Sequence, residues 1–144
     1  MSALQLHLAL NHLPLFAYLL GILLLLSRKW QQPTMHYVSM AVIFAGIVLL
    51  LVHNSGEEIV RNWATAKYDQ HHPWVDTHEE LGEQLTTIGL IFSGVTLVGW
   101  IGIWRNKLPI KLFGWAQLIT LAGILIFTLL VLQAGGAVSH PELR

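Results

Sequence analysis

The stretch Val38-Ser-Met-Ala-Val-Ile-Phe-Ala-Gly-Ile-Val-Leu-Leu-Leu-Val52, which runs on into His53-Asn-Ser-Gly-Glu57-Glu58, decides the fold. It is almost wholly apolar and ends in a burst of polar and acidic side chains. A hydrocarbon core takes about 20 helical residues, and with its flanks this run fills one. Three more segments qualify: Leu8 to Leu26, interrupted by Asn11, His12, Pro14 and Gly21; Leu85 to Trp104; and Phe113 to Ala134. The predicted spans cover about 5–27, 36–58, 78–104 and 110–134. With 54% hydrophobic and only 11% charged residues in 144, little remains for a separate soluble domain. The expected fold is all-α, a single integral membrane four-helix bundle over residues 1–144.

Basic residues in short loops set the orientation. Arg28, Lys29, Arg105, Lys107 and Lys111 fall on one side with no acid among them, which makes that side cytoplasmic. The other side holds Arg61, Lys67, Arg144 and every carboxylate, so both termini are expected on the extracytoplasmic side. The first segment is not a cleavable signal peptide, because its basic residues follow the apolar run instead of preceding it. Trp30, Trp100, Trp104 and Trp115 mark one membrane interface, and Trp63, Tyr68 and Trp74 the other. The absence of cysteine excludes thiolate-ligated metals, Fe–S clusters, disulfides and covalently attached c-type haem.

An even number of spans returns the chain to its starting side. It thereby gathers Glu57, Glu58, Asp69, Asp76, Glu79, Glu80, Glu83 and Glu142 with every histidine except His36. In the first helix His7, Asn11, Pro14 and Tyr18 form one stripe, turned toward the bundle interior. His12 is about 140° around the helix from His7, so the two cannot both face the axis. Asn11 and His12 are expected to find partners in the second or fourth helix or in a cofactor. In the second helix Ser39, Gly46, His53 and Val60 form a stripe where a neighbouring backbone can approach, and His53 and Glu57 share a face at i, i+4. Thr77 and Glu80 read as a capping box opening the third helix, Gln70 to Asp76 as the one real loop, and Gly135-Gly136 as the stop of the fourth helix. No internal repeat is evident.

Four motifs carry a resemblance: His7-Leu-Ala-Leu-Asn-His12-Leu-Pro14, Ser55-Gly-Glu57-Glu58, His78-Glu79-Glu80 and Gly135-Gly-Ala-Val-Ser-His140-Pro141-Glu142. Over essentially the whole chain these resemble a family of small bacterial four-helix membrane proteins of unknown function. Related domains occur joined to Rieske, cytochrome b5 or cytochrome c domains, which implies a redox setting in the bacterial inner membrane with the cluster facing the periplasm or exterior. His53 lies outside that pattern.

The residues suggest a transition-metal centre at the extracytoplasmic end. The candidates to hold haem are His7, His12, His53 and His140. For a bare cation they are His7, His12, His53, His78, His140, Glu57 and Glu79. Each has an ordinary reading: helix-end histidines are often polar termini, as for His36, His71 and His72, and Glu79 and Glu80 suit a helix start electrostatically. Glu57, at a predicted helix C-terminus, gains nothing from the dipole. Imidazoles with carboxylates suit iron, zinc, copper or manganese, whereas haem b needs one or two axial histidines and apolar walls. The surplus of acids would repel haem propionates unless Arg61, Lys67 or Arg144 compensated, and the redox setting favours haem. The Glu-x-x-His and His-Glu-x-x-His spacings are absent. The expected function is electron transfer through haem b. The alternatives are a non-haem Fe, Zn or Cu protein or enzyme and a structural or assembly subunit without cofactor. The expected partners are the lipid bilayer and a redox protein on the extracytoplasmic side, with no nucleic acid and with the oligomeric state open.

Overall fold

The computed structural model describes residues 3–27, 30–65 and 73–139, with side chains at 5–27, 30–59 and 76–135. All regular structure among them is helical: α1 (Ala3–Leu10), α2 (Leu13–Leu26), α3 (Gln32–Thr65), α4 (Pro73–Trp104) and α5 (Ile110–Ser139). Four stretches are long and apolar enough to cross a membrane: Gln5–Leu26, Gln32–Ile59, Asp76–Trp104 and Ile110–Gly135. Helices α1 and α2 make one span with a kink. Pro14 supplies no N–H and its ring crowds the carbonyl four residues back, so the ladder breaks at Asn11-His12. Asn11 N–H still donates to the His7 carbonyl (2.9 Å) and Phe16 N–H to that of His12 (3.2 Å), so the chain keeps its direction.

The spans form a ring in which α2 packs on α3 and α5, and α4 on α3 and α5, with only marginal contact across the α3–α5 diagonal. Tyr18, Leu25, Val42, Leu49, Phe92 and Leu121 are among the residues filling the centre, while Phe16, Ile91, Val98, Ile119 and Ile126 stand exposed on the outside. A bundle apolar outside as well as inside is what lipid requires. Glycines set the approaches between neighbours. A Cβ at Gly46 would overlap Ser93, whose hydroxyl donates to the Val42 carbonyl at 3.0 Å. This is the α3 stripe acting as a close seam against α4, as its small residues imply.

The end carrying the 105–109 loop is closed by a Schellman turn. Asn106 takes a left-handed φ of 55°, its N–H donates to the Ile103 carbonyl (2.9 Å), and Lys107 N–H donates to that of Gly102 (2.8 Å). Leu108 lies back over Gly102. At the same end Trp30 meets Trp115 edge-on at 5.0 Å.

Three predicted boundaries move. Helix α4 opens at Pro73, where a first-turn residue needs no N–H partner, so Thr77 and Glu80 lie inside it, as do Pro73 to Asp76 of the predicted loop; Gln70 to His72 lie outside the described residues. Helix α3 continues to Thr65, which puts Glu57 well inside a helix and not at its C-terminus. Helix α5 runs through Gly135 and Gly136 to Ser139, and no described glycine has positive φ. A Cβ at Gly135 would meet the His78 ring, so the glycine serves a close approach and not a left-handed stop.

Candidate metal centre

Two imidazoles at the end opposite the 105–109 loop occupy equivalent seats. His7, on α1 just before the kink, lies half-buried against α3. Its Nδ1 is 3.1 Å from the Val52 carbonyl and 3.4 Å from Ser55 Oγ, and Ser55 donates to the same carbonyl at 2.8 Å. The ring fits because position 56 is glycine: a Cβ there would come within 3.3 Å of His7 Cε1. His78, on α4, lies half-buried against α5. Its Nδ1 is 3.2 Å from the Val131 carbonyl, and a Cβ at Gly135 would come within 2.8 Å of its Cε1.

A carbonyl only accepts, so in both rings Nδ1 carries a proton, which in the neutral imidazole leaves the lone pair on Nε2. Metal-ligating histidines characteristically have this arrangement, the remote N–H fixed on a backbone carbonyl and the other nitrogen left for the metal. The seats are Val52-x-x-x-Gly56 on α3 and Val131-x-x-x-Gly135 on α5, so the bundle repeats itself: the first span docks its histidine on the second as the third does on the fourth. This repetition was not evident along the chain, because only one valine and one glycine in each seat carry it. The imidazoles are within electrostatic reach of each other.

The other predicted site residues divide. His53 and Glu57 pair at 3.2 Å on α3. His12 is exposed, as its angular offset from His7 requires, with no partner among the described residues, and Asn11 Oδ1 is buried without one. Among the described residues the second and fourth helices thus supply no side-chain partner to His12 or to Asn11 Oδ1. Glu79 is exposed. His140, His71, His72, Asp69, Glu142, Lys67 and Arg144 lie outside the described residues, as do the side chains of Arg61, Trp63 and Trp74. Among the described residues no three of His, Cys, Asp and Glu converge. Ser55, Gly56 and Gly135 are the seat residues that sequence reasoning did not assign. Their signal was a glycine four residues beyond a valine near two predicted helix ends.

His36 is not an idle polar terminus. At the opposite end it accepts a hydrogen bond from Trp100 Nε1, with ring centroids 5.6 Å apart at 70°. Comparison with protein-family models, curated proteins and solved structures yields no match to this chain.

Proposed function

We propose that the protein is a bacterial inner-membrane electron carrier whose centre is held by His7 and His78 at the extracytoplasmic end, with haem b as the preferred cofactor. The observation that carries this reading is the pair of matching seats, each with Nδ1 on a backbone carbonyl, which in the neutral ring leaves Nε2 free to bind a metal. Two imidazoles without a third ligand suit haem, which brings four nitrogens of its own and takes one or two histidines. The group, when bound, supplies a one-electron couple. This chain's residues orient the ligands: Val52, aided by Ser55, fixes one ring and Val131 the other. The resemblance to redox-associated membrane domains supports it, and the basic residues Arg105, Lys107 and Lys111 at the end opposite His7 and His78 support the orientation, since short basic loops favour the cytoplasmic side.

Detergent-purified protein should be assayed for haem by absorption and for metals by elemental analysis. The expected result is a Soret band in the wild type, lost in His7→Ala and His78→Ala and retained in His36→Ala. Metal without a Soret band would select the non-haem alternative, in which Glu57, Glu79 or His140 completes the ligand set. Wild-type protein with neither haem nor stoichiometric metal, and gaining neither on reconstitution, would overturn the redox reading in favour of an assembly or partner-binding role.

A further inference from the structure

At the bundle end carrying the 105–109 loop, a groove of about 550 Å³ runs between α3 and α4, lined by His36, Met40, Trp100, Ile101 and Trp104. That size is within the range of about 300–1,000 Å³ usual for ligand sites. Met40, Ile101 and Trp104 are exposed, so the groove opens on the surface the bundle presents to hydrocarbon, and its occupant enters from the bilayer. The walls are apolar. The tautomer of His36 sets the polarity at the back: Trp100 Nε1–H donates to Nδ1, so the ring proton is on Nε2 and His36 offers a donor.

The chain that follows the last lining residue, Trp104, is basic, and its backbone is fixed. Arg105 follows Trp104 directly, and Arg105 and Lys107 are both exposed. The Schellman turn holds them, with Lys107 N–H on the Gly102 carbonyl at 2.8 Å and Leu108 packed on Gly102. No acid lies between Trp104 and Lys111. The occupant therefore has an apolar body and an anionic, hydrogen-bond-accepting head. We propose that this groove binds an anionic phospholipid, with its phosphate at Arg105 and Lys107 and an acyl chain along Met40, Ile101 and Trp104. The site is independent of the centre at the other end.

The test uses tryptophan quenching by brominated lipids in phosphatidylcholine vesicles, comparing dibromo-phosphatidylglycerol with dibromo-phosphatidylcholine at equal mole fraction. A basic residue near the membrane surface contributes about 1 kcal/mol toward an anionic lipid, about fivefold. The expected preference for phosphatidylglycerol is therefore about 25-fold in the wild type for the two residues together, near unity in R105Q/K107Q, reduced in His36→Ala and unchanged in Lys111→Gln. The variant Trp104→Phe should lose most of the differential signal, which would assign it to the groove. Equal quenching by the two lipids in the wild type would overturn the proposal. So would a loss in Lys111→Gln matching that in R105Q/K107Q, since it would indicate a diffuse surface charge. Displacement of the brominated phosphatidylglycerol by millimolar glycerol phosphate would also overturn it, because the groove would then have no part in binding.

Discussion

A methyl group separates a seat for imidazole from a clash. At Gly135 an added Cβ would stand 2.8 Å from His78 Cε1, closer than packed carbons allow, whereas at Gly56 the corresponding distance to His7 is 3.3 Å. Overpacking a fitted site costs about 1–3 kcal/mol. Gly135→Ala is therefore expected to push His78 off the Val131 carbonyl, lower stability by that amount and empty the centre, while Gly56→Ala does less of each. Denaturant unfolding together with cofactor content per chain checks both. The protonation of the rings gives a second expectation. Neutral imidazole is the liganding form, so protons compete with the centre for Nε2 as pH falls. Acid should release the centre and neutralisation restore it; spectra that stay constant down to the pH at which the bundle unfolds would mean that His7 and His78 are not the ligands.

Individual helices bring those residues to their places. Pro14 kinks the first span at Asn11-His12 and so sets the angle at which α1 carries His7 to α3. Pro14→Ala restores an N–H able to reach the Leu10 carbonyl, and one continuous helix should result, with stability unchanged or raised and the centre weakened. A mutant with full cofactor content would show that the kink does not position His7. Along the α3–α4 seam the side chain missing at Gly46 matters in the opposite way. Gly46→Val would force Ser93 away and break its bond to the Val42 carbonyl, so it should destabilise the bundle by about 1–3 kcal/mol or more in an SDS-unfolding titration. In membranes helices are held together by such close approaches because apolar burial alone does not distinguish a neighbour from lipid.

On the scale of the molecule, the charge pattern predicts how the bundle sits. Cysteines introduced at Lys111 and Glu79 should react with a membrane-impermeant reagent from opposite sides, Lys111 from the cytoplasm and Glu79 from outside. The reverse result would invert the orientation and move the His7/His78 end to the cytoplasmic face.

The number of spans, the all-helical class and the pairing of His53 with Glu57 were legible along the chain, because each depends on local apolar length or on helical spacing. Small residues at Ser39 and Gly46 likewise announced a close seam. Helix ends were less legible: Gly135-Gly136 reads as a stop by propensity, yet the helix continues to Ser139, with the His78 ring over Gly135. That the described histidines His7, His53 and His78 share one end also followed from an even number of spans. Which of them meet did not. Asn11 shares the stripe of His7, yet the kink carries only His7 to a carbonyl, while His12 faces outward as its offset around the helix required. His36 looked solitary because Trp100 joins it from another helix. The seats formed by Val52 with Gly56 and by Val131 with Gly135 combine a backbone oxygen with a missing side chain. Neither has a signature of its own in one-dimensional sequence, and only the packing of helices distant along the chain puts an imidazole into each.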